Sequence, residues 1–240
     1  MGITFRTYFT AILVSVLYTL CALPFLVLLL FRGEDSRRKL WRKFILCYGR
    51  WILFWTLKIR GRIEYTDMRP EENSTGIFIA NHRSASDAFL MAVLGWDLVQ
   101  VVSAWPSKLP FWGFFAKRGG YLNIGRLPFE EFMESACREL AHGVSIVSFP
   151  EGTRSGSKEM KQFHSGIFRV ALAAQCPLYP LCIIGNENMP DRNFRMHDGK
   201  IRIFKLPRIN YDEYKNMSAF TLKKHVRGIL QAKMTQEEKE

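Results

Sequence analysis

Disulfide and metal frameworks are the first things missing from this chain. Its five cysteines, Cys21, Cys47, Cys137, Cys176 and Cys182, are scattered through apolar segments, with no CxxC pair and no Cys/His spacing suited to a metal. They read as reduced core residues, so neither a disulfide framework nor structural zinc is expected, and the working domain belongs in a reducing compartment. Acidic residues are also scarce, with 22 Asp and Glu against 34 Lys and Arg, for a net charge of +12. An anionic partner follows from that balance, either nucleic acid or a lipid surface. RNP, zinc-finger and helix-turn-helix signatures are absent, which sets nucleic acid aside in favour of lipid. There is no internal repeat, low-complexity segment or Pro/Ser linker. At 240 residues, one catalytic domain with an appendage is the simplest partition.

Charge is wholly missing from Tyr8 to Phe31. A run over residues 8–31 is long enough to cross a bilayer core as a helix, with a kink expected at Pro24. A cleaved signal peptide is the alternative. The run is long for one, no small-x-small cleavage site follows it, and a basic cluster does. That cluster, Arg32, Arg37, Arg38, Lys39, Arg42 and Lys43, is expected on the cytoplasmic side, which would turn the catalytic domain to the cytoplasm. The next apolar stretch, Phe44 to Leu57, is broken by Arg50 and rich in tryptophan. A helix over 41–57 lying in the membrane interface fits it, and a core helix of the globular domain is the competing reading. Residues 1–58 thus form a membrane anchor and 59–240 the catalytic domain.

From residue 59 strands and helices alternate. Strands are expected at Ile59–Tyr65, Gly76–Ala80, Leu98–Ser103, Val144–Phe149, Leu178–Ile184 and Ile201–Leu206. Helical patterns cover 85–94, 110–117, 129–141, 165–174 and, capped by Ser218, 218–235. The fold class is α/β, a mostly parallel sheet flanked by helices and preceded by one or two N-terminal membrane helices. Ligands of such sheets collect beyond the carboxyl ends of the strands, and His82 and Glu151 fall there.

Asn81-His82-Arg83-Ser84-Ala85-Ser86-Asp87 stands where a buried strand hands over to a helix. A histidine at that corner can reach a substrate, while an aspartate one turn further on accepts its other N–H and holds the tautomer. His82 and Asp87 are five positions apart, an offset that separates them on a regular helix. They meet only if His82 lies on the loop before it. Ser84-Ala85-Ser86-Asp87 also fits a capping box, a structural role compatible with the first. A second stretch, Phe149-Pro150-Glu151-Gly152-Thr153-Arg154-Ser155, follows another apolar strand. It reads either as a surface turn with a Glu-Arg pair or as an anion site built on the Arg154 fork and the Gly152 and Thr153 amides.

Together, NHxSxxD and, some sixty residues later, FPEGTRS resemble the glycerolipid acyltransferase family, of the 1-acyl-glycerol-3-phosphate or lysophospholipid acyltransferase type, over about residues 60 to 207. The resemblance implies that His82 is a general base oriented by Asp87. It also implies that the loop of Glu151, Gly152, Thr153 and Arg154 holds the acceptor. Gly120-Tyr121-Leu122-Asn123-Ile124-Gly125-Arg126 is similar to the family's third motif, which implies that Arg126 is a phosphate ligand, although Gly125 replaces the usual acid before it and a solvated arginine at a strand end is the plain alternative. Pro180 meets the fourth motif, with an edge-strand proline as the plain alternative. The family seats two N-terminal helices in one leaflet, so a half-inserted hairpin competes with a true span.

Two departures bear on substrate choice. Phe163-His164-Ser165-Gly166 lacks the two cations common after the EGTR loop, and Ala104-Trp105-Pro106 stands ahead of Lys108-Leu109-Pro110 where a lysine is frequent. Fewer cations should hold a phosphomonoester less tightly, so a lysolipid with a larger head group or a lyso-aminolipid is an alternative acceptor. The implied reaction moves a fatty acyl group from acyl-CoA or acyl-carrier protein to a lysophospholipid hydroxyl at a membrane, with no metal or prosthetic group. Ser84 and Ser86 sit in no G-x-S-x-G elbow, so a serine nucleophile ranks behind. A lipid thioesterase or hydrolase and a noncatalytic tether are the remaining readings. His142, His164, His197 and His225 are expected to be solvated, and residues 236–240 frayed.

Overall fold

The computed structural model describes residues 2–70, 74–103 and 110–239. Two helices come first, α1 (Ile3–Leu28) and α2 (Glu34–Thr56), and they pack as a hairpin. Aromatic rings make the seam: Tyr18 meets Phe44, Tyr48 and Trp51, and its hydroxyl donates to the Phe44 carbonyl at 2.9 Å. α1 starts five residues earlier than the uncharged run, because one exposed arginine, Arg6, does not stop a helix. Pro24 lies inside its last turns. Ile12, Leu13, Val16, Leu20 and Val27 face outward, and within Ile3–Phe25 only Thr7 and Val14 are buried. Among the described residues no other helix is both long and apolar enough to cross a membrane.

α2 joins the two readings of its sequence. One flank is core: Leu53, with Leu57 just beyond, packs among Phe78, Leu90 and Val147, so the expected boundary at residue 58 runs through a shared interior. The other flank presents Trp51, Phe54 and Trp55 to the outside. Arg42 is not free among the six cations of the basic cluster. It is buried, and its Nε and Nη2 donate to the Asp97 carboxylate at 2.5 and 3.1 Å.

Seven strands follow among the described residues: β1 (Ile63–Asp67), β2 (Ile77–Ala80), β3 (Leu98–Val102), β4 (Leu122–Asn123), β5 (Ser145–Ser148), β6 (Leu178–Ile184) and β7 (Ile201–Lys205). They form one sheet in the order β1-β7-β6-β2-β5-β3-β4, antiparallel only between β6 and β7. Interleaved are α3 (Asp87–Leu90), α4 (Pro110–Gly119), α5 (Phe129–Ala141), α6 (Gly166–Ala174), α7 (Tyr211–Tyr214) and α8 (Ala219–Glu237). Alternate side chains of the central strands enter two cores. Ile77, Ile79 and Ile146 meet Phe132, Phe168 and Leu230 of α5, α6 and α8, while Phe78, Ala80 and Val147 meet the α2 and α3 side. Burial on both faces is why these strands read as unbroken apolar runs.

Where expectation and structure differ, the causes are local. Gly61, at φ 65°, closes a short helical turn, so β1 starts at Ile63 and not Ile59. The helix expected over 85–94 is a four-residue α3 followed by a 3-10 turn at Met91–Val93. Pro180 is in an interior strand, not at an edge; its carbonyl accepts the Leu206 N–H just past the end of β7, so the missing proline donor interrupts no β7 ladder bond. Cys176 and Cys182 are buried, and burial pushes both thiols up to about 12. Cys21, by contrast, is exposed on α1 and is no core residue.

The N-terminus returns to the long segment after β6, and the C-terminus to β7 and the 81–87 loop. Thr4 Oγ1 donates to the Met196 carbonyl at 3.3 Å and accepts the Met196 N–H at 3.1 Å, and the Tyr8 hydroxyl donates to the Phe194 carbonyl at 2.8 Å. At the other end Ser218 Oγ caps α8 through the Thr221 N–H. Leu222, Val226 and Leu230 bury against the sheet. Residues 237 and 238, expected to fray, do not. Glu237 is buried against Arg202 and Lys233, and Glu238 accepts from Arg83 at 2.7 Å.

Candidate active site

β2 and β5 are parallel neighbours, so the chain leaves both at the same edge of the sheet. The 81–87 and 149–157 loops are therefore brought side by side. Asn81 anchors the first: its side chain donates to the Ile183 carbonyl and accepts the Ile183 N–H, both at 2.8 Å, tying β2 to β6. His82 then falls on the loop and Asp87 opens α3, the one arrangement in which a five-residue offset lets them meet. His82 Nδ1 lies 2.6 Å from Asp87 Oδ2. The same oxygen accepts the Arg83 and Ser84 N–H groups at 2.8 and 3.0 Å, and Oδ1 accepts from Asn186 Nδ2. Asp87 is fully buried and cannot turn. With Nδ1 committed to the carboxylate, Nε2 is the imidazole nitrogen left for the cavity. Half of the capping box is present, since the acid reaches back to the Ser84 amide. The Ser84 hydroxyl donates instead to the Pro190 carbonyl at 2.8 Å.

The second loop is laced to the first. Ser155 N–H donates to the His82 carbonyl at 2.7 Å and Gly156 N–H to the Arg83 carbonyl at 3.1 Å. Glu151 braces the pair from within: Oε1 accepts the His82 N–H at 2.7 Å and Oε2 the Lys161 N–H at 2.9 Å. It is only 4% exposed. Burial raises its pKa, while the two amides pull the other way. The expected substrate-facing place of Glu151 is therefore revised to an inward one, because both oxygens are taken by backbone donors. The His82 ring lies against Phe149, centroids 4.7 Å apart.

A cavity of about 630 Å³ opens between the loops, lined by His82, Ala88, Phe89, Thr153, Arg154 and Arg192 among others. Gly152, at φ 70°, borders it. Thr153 Oγ1 and the Arg154 carbonyl accept from Lys161 Nζ at 3.0 and 2.9 Å. The Arg154 guanidinium stands 5.5 Å from the centre of the Phe194 ring. Arg126 is elsewhere, exposed on the turn after β4 and not on the cavity wall. Pro180 is not on that wall either. Residues 104–109, including the Ala104-Trp105-Pro106 departure and Lys108, lie outside the described residues.

A family model described as acyltransferase matches residues 62–184, half of the chain. The chain belongs to the acyltransferase family. Its relatives include the 1-acyl-sn-glycerol-3-phosphate acyltransferase of Escherichia coli strain K12, 30% identical over 202 residues that span 80% of this chain and 79% of the relative. The protein of the same name from Salmonella typhimurium is 28% identical over 71% of each chain. The crystal structure of the 1-acyl-sn-glycerophosphate acyltransferase from Thermotoga maritima shares the fold, with a TM-score of 0.75 over 99% of this chain and 98% of that one, at 18% identity. This acyltransferase is thus an O-acyltransferase of the 1-acyl-sn-glycerol-3-phosphate acyltransferase type.

Four residues of the acyltransferase site escaped the sequence. Asn186 orients Asp87 from the turn after β6, at Gly185. Arg83, only 2% exposed, reaches Glu187 at 3.2 Å, the Lys158 carbonyl at 2.8 Å and Glu238 at 2.7 Å, pinning the site loop to the end of α8. Asp191 and Arg192 line the cavity. The one available signal was Gly185 directly after an apolar strand, which marks a third loop at the same sheet edge. His197, expected to be solvated without a partner, pairs with Asp191 at 2.8 Å.

Proposed function

We propose that His82 is the general base of acyl transfer from a thioester to the hydroxyl of a lysophospholipid such as 1-acyl-glycerol-3-phosphate. The observation that carries this is the 2.6 Å contact of His82 with a buried, immobile Asp87 on the wall of a cavity shared with Arg154. His82 Nε2 takes the hydroxyl proton as the oxygen attacks the thioester carbonyl. The new C–O bond forms, the C–S bond breaks, and the imidazolium returns its proton to the departing thiolate. Asp87 stabilises the cation meanwhile, and no acyl-enzyme is required. Gly152, Thr153 and Arg154 hold the acceptor head group, with Glu151 bracing the loop they stand on. The chemistry calls for no metal or prosthetic group. The donor is acyl-CoA or acyl-carrier protein; both are acidic and suit a chain of charge +12.

The apolar outer face of α1 and the Trp51, Phe54 and Trp55 flank of α2 favour a seat in a membrane. Arg32, Arg37, Arg38, Lys39 and Lys43 favour the cytoplasmic side for the catalytic domain. The test supplies a labelled acyl thioester with lysophosphatidic acid, other lysolipids or water alone, using wild type and His82→Ala. A diacyl product that falls by roughly 10²–10⁴-fold or more in the variant is expected. Free fatty acid in every tube, or turnover indifferent to His82, would overturn the reading.

A further inference from the structure

We propose that Arg192 is a specificity-determining ligand of the acceptor head group, which joins Arg154 to form an anion-binding wall selective for a phosphate monoester. This deepens the acyl-transfer reading above and rests on it. The need is one of charge. A phosphate monoester carries up to two negative charges and calls for more than one cation. The stretch Phe163-His164-Ser165-Gly166 supplies no lysine, and neither Arg126 nor Lys161 is on the cavity wall. Arg154 and Arg192, from loops after different strands, both line the cavity that holds His82.

Arg192 is a built feature of that wall. Its Nη2 donates to the Ser155 carbonyl, which fixes the plane and leaves further N–H groups available. Its stem crosses Gly156, at φ 62°. A Cβ there would fall on Arg192 Nε and stand 3.0 Å from its Cγ, so a glycine keeps the passage open. The residue before it, Asp191, does not neutralise it by pairing. Asp191 Oδ1 accepts the Asn193 and Arg195 N–H groups at 2.8 and 2.9 Å, and Oδ2 is taken by His197, which locks the turn that presents Arg192. The cations missing from the EGTR loop's own neighbourhood are thus replaced from the segment after β6.

The full chain in detergent tests this with Arg192→Ala, Arg192→Lys and, as a charge control on the same loop, Arg195→Ala. Expected for Arg192→Ala is a KM for lysophosphatidic acid raised roughly ten- to a hundredfold, with kcat within about threefold. Its preference for that acceptor over an uncharged monoacylglycerol should fall in step, and the KM for the acyl thioester should hold. Arg192→Lys should recover part of the loss and Arg195→Ala should match wild type. An unchanged KM and head-group preference in Arg192→Ala, with wild type acylating normally, would overturn this inference and leave the acyl-transfer reading intact. If wild type acylates no lysolipid at all, that reading fails by itself. Direct binding of labelled lysophosphatidic acid then decides on Arg192 alone: weaker binding in Arg192→Ala supports the wall, and equal binding overturns it.

Discussion

His82 meets Asp87 at 2.6 Å and His197 meets Asp191 at 2.8 Å, so two histidine–aspartate contacts of similar length stand near one cavity. Their surroundings set them apart. Asp87 is fully buried and receives the Arg83, Ser84 and Asn186 donors besides the histidine, whose ring lies tilted against Phe149 with Nε2 left over. The His197 side chain is 50% exposed, and it engages Asp191 through Nε2 in a local turn. Distance alone therefore does not make a reactive pair. A base needs a partner that cannot rotate and a nitrogen left over for the cavity, and only the first contact pairs a fully buried carboxylate with a histidine on the cavity wall.

The comparison can be broken most sharply at Asp87. Asp87→Asn should keep the fold yet lower kcat by roughly 10²–10⁴-fold, because an amide cannot hold the imidazole tautomer or balance its charge; steady-state kinetics of acyl transfer check this. Less severe is Glu151→Gln, whose amide nitrogen faces a backbone donor. It should cost about 1–3 kcal/mol in denaturant unfolding and slow transfer by loosening the His82 loop. Smallest is His197→Ala, expected to change kcat by less than about twofold, since neither group touches the reacting atoms.

A pH series sharpens the contrast between carboxylates. Backbone and His197 hydrogen bonds hold Asp191 below the usual aspartate range. Its contribution to stability is present above the unfolded-state value and is lost as pH falls through the lowered folded one. Burial raises Glu151, so there stability declines as pH climbs from the ordinary glutamate value through the raised one. Thermal unfolding of wild type and Asp191→Asn should show a gap that is steady at neutral pH and closes in acid.

What the sequence revealed follows the reach of each contact. His82 and Asp87 share one strand-to-helix corner, and their spacing dictated which element each must occupy. Parallel strands buried on both faces leave continuous apolar runs, so β2, β5 and β6 were visible, while the two-residue β4 lay unread inside Gly120–Arg126. The supports were silent. Asn186 reaches Asp87 across 99 positions, Arg192 reaches Ser155 across 37, and Glu238 reaches Arg83 across 155. No local pattern encodes such pairs. Glu151 was visible as a residue but misassigned in role, because an acid in a turn-rich loop gives no hint that both its oxygens point inward.

The bonds from Thr4 and Tyr8 to Met196 and Phe194 have a practical side. Phe194 is the ring beneath Arg154, two residues beyond Arg192. Trimming the apolar first helix to ease purification would remove a buttress of the Arg154 and Arg192 side of the cavity together with the exposed apolar face of α1. A shortened, water-soluble form with altered acceptor choice would then be reporting on its missing prop, and substrate profiling belongs on protein whose first ten residues are intact.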